Sequence, residues 1–149
     1  DIFTRTDDIA IDTFKVDDGR HQAILDEERW QSFTDELILV LTGRKAADQL
    51  LAAQRPYRDR GAGAAAPPSV QIDNDSSPTH SIIEVVANDE IGLLHRLGAV
   101  FRDCHIEITS AIVSTAGARA VDVFYVTAAA GGKIRDASII TQISRALSS

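Results

Sequence analysis

Cysteine is nearly absent from this chain. Cys104 is the only one, so no intramolecular disulfide can form. Its place on an apolar helix face reads as a packed thiol, which fits a reducing cytoplasm. Long apolar runs are also missing. A bilayer span needs about 18 to 20 apolar residues, and the longest candidate here is Leu37 to Leu41. The chain does not begin with a basic stretch followed by an apolar one, so export is not expected. Positive charge is in deficit as well: 15 Lys and Arg against 22 Asp and Glu give a formal charge of −7. That balance argues against nucleic acid and anionic membranes as partners. The local exception runs from Arg44 to Arg60, where Arg44, Lys45, Arg55, Arg58 and Arg60 face only Asp48 and Asp59. Tyr57 alone makes a poor stacking platform, so this segment reads as a solvated linker.

Catalytic and metal patterns are lacking too. His21, His80, His95 and His105 show no two-histidine ligand spacing, and one cysteine makes no thiolate cluster. No catalytic residue and no metal ligand is expected in these residues. The small-residue stretch Gly61 to Pro68 has no Gly-Lys-Ser/Thr ending and reads as linker rather than phosphate loop.

What the 149 residues do contain is enough apolar sequence, 44%, for one ordinary core or two small ones. The chain is organised around Ser81 to Val126. Ile83, Val85 and Ala87 alternate with Ile82, Glu84 and Val86, as in a strand with one buried face. After Asp89-Glu90-Ile91-Gly92 the period becomes helical, with Leu93, Leu94, Leu97, Val100, Phe101 and Cys104 on one stripe. Ile106, Ile108 and Ile112 return to period 2. Ala116-Gly117-Ala118 suits a hairpin turn, Ala120 to Val126 a further strand, and Asp136 the start of a helix. This order predicts an α+β fold containing most of a ferredoxin-like β-α-β-β-α-β unit.

The same pattern occurs twice. Adding 110 to residues 2–16 and 24–37 aligns Ile2 with Ile112, Ala10 with Ala120, Asp12 with Asp122, Phe14 with Phe124, Asp26 with Asp136, Phe33 with Ile143 and Leu37 with Leu147. The first copy lacks the counterpart of Ser81 to Ser110, so it reads as a unit truncated at its N-terminus. Residues 1–43 are then the second half of a first unit, 44–68 a linker, and 69–149 a second unit with its preceding strand. In copy one, Asp26 is placed to cap a helix bearing Trp30, Phe33, Leu37, Val40 and Leu41, and Gly43 to end it. The strand-like Ser69 to Asp73 can close copy one in sequence order or pair with copy two from upstream. The unpartnered apolar residues of copy one predict a homodimer or intimate pairing between units.

Asp12 and Asp122 each interrupt an apolar strand as Asp-x-Phe-x-Val. No base or metal motif accompanies them, so they read as solvated or hydrogen-bonded strand carboxylates rather than a catalytic pair. The turn Asn88 to Leu93 is the best site candidate. A helix N-terminus there offers unpaired N–H groups to a carboxylate, and Gly92 allows close approach.

The turn Val86 to Leu94 resembles the strand-to-helix turn of ACT domains, small modules that bind amino acids and regulate enzymes. With Ile112-Val113-Ser114-Thr115, Ala120 to Val126 and the duplicated hairpin, the chain is similar to the C-terminal ACT pair of the bifunctional uridylyltransferase/uridylyl-removing family that acts on PII signalling proteins. Ile91 stands where the common ACT turn has proline. The resemblance implies ACT-type units and a regulatory role: sensing an amino acid, glutamine, and controlling uridylylation and deuridylylation of PII by a larger enzyme. It implies a ligand site of Asn88, Asp89, Glu90, Ile91, Gly92 and Leu93, completed by Glu107 and Ile108 of a neighbouring unit. No cofactor is implied for this region; divalent Mg or Mn belongs to the larger enzyme's nucleotidyltransferase and hydrolase domains. The alternatives are a ligand-free ACT-like dimerisation module and an ACT regulatory part of another enzyme of amino-acid metabolism.

Overall fold

The computed structural model describes residues 2–4, 10–16, 22–53 and 67–146. The hairpin loop of copy one, His21, most of the expected linker including Tyr57 and the Gly61 to Ala66 run, and Leu147 lie outside the described residues. The chain divides into two compact units, one made of residues 14–56 and the other of 1–13 with 57–149. That division cuts the sequence repeat between its second strand and its helix.

In the larger unit six strands form one antiparallel sheet: β1 (Ile2–Thr4), β2 (Ala10–Asp12), β3 (Ser69–Asp73), β4 (Ser81–Asn88), β5 (Ile106–Ala116) and β6 (Arg119–Ala128). Their order across the sheet is β2-β1-β5-β6-β4-β3. Helices α3 (Leu93–Asp103) and α4 (Ser138–Ala146) belong to the same unit. The expected strand, turn, helix, strand, hairpin, strand order is therefore present. Gly117, with φ 66°, supplies the left-handed residue that the two-residue turn between Ala116 and Arg119 requires.

Strand alternation decides which face is covered. Ile83, Val85 and Ala87 of β4 and Ala120, Phe124 and Val126 of β6 are buried, as are Leu93, Leu97 and Phe101 of α3 and Ile139 and Ile143 of α4. All belong to one core, fastened by an edge-to-face contact of Phe101 with Phe124 at 4.9 Å between ring centres. Leu94, placed on the apolar stripe by periodicity, is 42% exposed. Cys104 ends α3 half-buried, with its sulfur 3.0 Å from Gln142 Oε1.

The open choice for residues 69–73 is decided by pairing. β3 runs antiparallel to β4, Ser69 opposite Val86 and Asp73 opposite Ile82, so it completes copy two from upstream. A polar knot holds it there. Ser81, 0% exposed, lies 2.5 Å from Asn74 Oδ1 and accepts from the Ile134 N–H at 2.7 Å, while Asn74 Nδ2 donates to Ile134 O at 3.0 Å.

β1 and β5 are counterparts in the repeat, and they pair with each other: Ile2 faces Ala111 and Phe3 faces Ser110. With 110 added to the β1 numbers the pairs become 112 with 111 and 113 with 110, which is the signature of a local pseudo-two-fold axis. The hairpins themselves differ. In copy two Ile112 faces Val123, whereas in copy one Ile2 faces Asp12, a register shift of one residue relative to the offset of 110.

The smaller unit contains α1 (Glu27–Leu41) and α2 (Ala47–Ala53). Asp26 caps α1 as expected, accepting from the Glu28 and Arg29 N–H groups at 3.0 and 3.3 Å. Gly43, with φ 69°, follows its end. Trp30 donates to Ile24 O at 2.9 Å and meets Phe33 edge to face. The segment expected to be linker carries α2, whose Leu50 and Leu51 are half-buried.

Candidate functional site

β4 ends at Asn88, opposite Arg119, and the chain must then reverse into α3. The Asp89 N–H donates to Ala118 O at 2.9 Å, tying the turn to the β5–β6 hairpin. Gly92 is the N-cap of α3 and sits in the left-handed region at φ 87°, ψ 2°. A side chain there would be strained, which explains the glycine. Gly92 has no side chain to cap the helix, and Asp89 does not substitute for one. The Leu93 N–H reaches Glu90 O at 3.2 Å and the Arg96 N–H reaches Gly92 O at 2.9 Å. Anchoring is completed by Arg96, whose guanidinium pairs with Glu90 through Nη2 and donates through Nε to Ala146 O at 3.2 Å, at the end of α4.

Asn88, Asp89, Glu90 and Ile91 are exposed, Gly92 is half-buried and Leu93 is buried in the core. These six residues form one contiguous turn. Glu107 and Ile108 lie elsewhere. Glu107 faces Thr127 and Ile108 faces Val126, which in turn faces Ser81 at the start of β4. From Ile108 to the hairpin end of β5 is about 25 Å at ~3.3 Å per residue. Within one unit the two parts of the expected site are at opposite ends of the sheet.

Asp122 is the residue that sequence reasoning undervalued. It lies on β6 between Val113 and Val85, on the covered face, and is 0% exposed. Its Oδ1 accepts a long bond, 3.4 Å, from the Ser114 N–H, and Oδ2 has no hydrogen-bond partner among the described residues. Burial raises its pKa above the ordinary carboxylate value; the Ser114 N–H opposes that shift and the charge of Asp89 adds to it. Asp12, by contrast, is exposed. The signal available in sequence was an acid inside an apolar alternation, which gives the position but not the missing partner. Among the described residues no three His, Cys, Asp or Glu side chains are grouped to hold a metal, and no helix is long and apolar enough to cross a membrane.

Within the six-stranded sheet, β3 to β6 with α3 and α4 form a four-strand antiparallel portion carrying two helices, the arrangement expected of an ACT domain. Residues 76–149 match the family described as the ACR family N-terminal ACT domain. Over nearly its whole length the chain is homologous to one region of the bifunctional uridylyltransferase/uridylyl-removing enzymes. It is 37% identical over 147 residues to the enzyme of Rhodospirillum rubrum, 34% over 148 residues to that of Azospirillum brasilense, and 35% over 137 residues to that of Gluconobacter oxydans. These matches cover 98%, 98% and 91% of this chain but only 16%, 16% and 14% of the relatives. No solved structure matches.

Proposed function

We propose that this region senses an amino acid, glutamine, and transmits its occupancy to a larger enzyme that uridylylates and deuridylylates PII protein in the cytoplasm. The observation that carries the proposal is the turn at Gly92: a left-handed glycine opening an eleven-residue helix, with exposed polar side chains at Asn88, Asp89 and Glu90. Such a turn presents helix N–H groups and positive dipole to an α-carboxylate. Residues 88–93 then form one wall of the site, and Glu107 with Ile108 forms a wall for the turn of a neighbouring unit.

The proposal takes residues 1–43 as the second half of a first ACT-like unit, 44–68 as the connection and 69–149 as the second unit. The β1–β5 ladder supports pairing between units, within a chain or in a homodimer. Mg2+ or Mn2+ would serve the larger enzyme's catalytic domains. Coupling of about 1 to 3 kcal/mol between glutamine binding and catalytic state is sufficient for control.

The test is PII modification by the larger enzyme carrying Gly92→Val, with melting temperature recorded beside it. Lost glutamine control with intact basal uridylylation is expected. A normal glutamine response in a folded Gly92→Val enzyme would overturn the site assignment.

A further inference from the structure

A glycine stands in the middle of α3 where nothing in its own unit requires one. Gly98 is not in the left-handed region, and a Cβ added there would meet nothing within 4 Å. Glycine inside a helix is destabilising relative to alanine, so neither backbone conformation nor crowding within the unit accounts for it. The flank it occupies is bare. Arg96 and Cys104 turn toward α4, reaching Ala146 O and Gln142. At about 100° per residue, Leu94 and Gly98 fall on the other flank. Leu94 is 42% exposed, as is Ile91 before it, and Val113, 40% exposed, faces the same side of the sheet from β5.

The sheet has room beside that flank. Six strands about 4.8 Å apart span roughly 29 Å, while two helices at about 8 to 10 Å cover roughly 20 Å. α4 packs against β3, and α3 against β5 and β6. The strip that the helices of this unit leave uncovered therefore lies over β1 and β2, next to Leu94 and Gly98. The β1–β5 ladder indicates what belongs there. Its pseudo-two-fold axis passes between Ala111 and Ile112, because the pairs 112 with 111 and 113 with 110 are symmetric about that point. Ala111 faces Phe124, whose ring meets Phe101 of α3. The axis is thus level with Phe101, and Gly98 is about 4.5 Å away along the helix, within one turn. The operation that relates β5 to β1 sets a counterpart of α3 antiparallel to α3, closest near Gly98.

We propose that Gly98 is the crossing point for a second helix, the counterpart of α3 in the first unit of the larger enzyme, packed antiparallel across this axis with Ile91 and Leu94 against it. The inference rests on the reading of residues 1–43 as the second half of a first ACT-like unit, and it names the contact that joins the two units beyond the β1–β5 ladder. Without a side chain at position 98 the two helix axes approach to the short end of the ~8 to 10 Å range, where a longer side chain holds them apart. Burial of Ile91 and Leu94 supplies the driving force.

The experiment uses Gly98→Gln, which favours the helix and fills the notch without adding apolar surface. In the 149-residue chain the variant should melt at or above the wild-type temperature, because α3 has no partner helix there. In the larger enzyme, hydrogen exchange at the amides of residues 94–102, measured against those of α4, should be at least tenfold slower than in the 149-residue chain. Gly98→Gln should remove that excess protection. Protection that is no greater in the larger enzyme, or that survives in the variant, would overturn the proposal. A lower melting temperature in the 149-residue variant would overturn it by placing the need for glycine inside the unit. A wild-type 149-residue chain that is dimeric by light scattering and made monomeric by Gly98→Gln would give the flank to a second copy and overturn the assigned partner. Glutamine enters none of these measurements, so every outcome leaves the sensing reading as it stands.

Discussion

Asp12 and Asp122 occupy the same place in a repeated strand sequence and opposite environments: Asp12 ends β2 exposed and opposite Ile2, while Asp122 is 0% exposed and opposite Val113. The one-residue difference in register accompanies this contrast, because side chains alternate between faces with period 2. The first prediction follows from the buried member. Its folded pKa is raised above the unfolded value of about 3.8, so the native state holds this proton more tightly than the unfolded chain. Its stabilising contribution is complete below the unfolded pKa and is lost as pH rises through the folded pKa. Asp122→Asn removes that loss. The stability difference between Asp122→Asn and wild type should grow in favour of the variant as pH rises from 4 to 7. Urea unfolding at several pH values measures it. Comparison of the two proteins is needed because Asp73, lowered by hydrogen bonds with Ser76, and Asp136, lowered by the Ser138 N–H, act in the opposite direction.

Ser81 joins β3, β4 and the segment before α4 through one hydroxyl. Ser81→Ala leaves the Ile134 N–H without its acceptor in a buried position, at a cost of about 1 to 3 kcal/mol. Chemical denaturation should show that loss, and hydrogen exchange should show faster exchange at the Ile134 amide. Unchanged protection there would contradict the assigned bond.

Phe101 is 1% exposed and edge-on to Phe124. Phe101→Ala should lower stability by about 3 to 5 kcal/mol through lost burial and a residual cavity. Thermal melting provides the measurement, and a change under 1 kcal/mol would show that this contact is not central.

Asp26→Ala removes the acceptor for two N–H groups at the start of α1. A loss of about 0.5 to 2 kcal/mol is expected. It should appear as reduced helical circular dichroism and faster exchange at Glu28 and Arg29, with the β4–α4 amides unaffected.

β1 pairs with the outer edge of β5 at Ser110 and Ala111. A chain starting at residue 67 exposes that edge, and the pseudo-two-fold relation of β1 to β5 provides a template for two copies to pair through β5. Light scattering should report a dimer at micromolar concentration. A strict monomer with a folded β4–α4 portion would count against it.

Element type and order were determined by the sequence itself. Period 2 in Ile83, Val85 and Ala87, period 3.6 from Leu93, the caps at Asp26 and Asp136, and glycine at positions 43, 92 and 117 are local signals written in consecutive residues. The turn Asn88 to Leu93 was legible for the same reason, since a helix start depends on its own neighbours. Tertiary structure alone decided the rest. Ser69 to Asp73 had two admissible partners, and pairing to β4 was selected by contacts with Asn74, Ser81 and Ile134 that are distant in sequence. The environment of Asp122 likewise depends on α3 lying over β6. Glu107 and Ile108 lie about the length of β5 from the turn of their own unit, so their part in a site with the turn of a neighbouring unit, as the resemblance implies, depends on how units pair and not on local sequence.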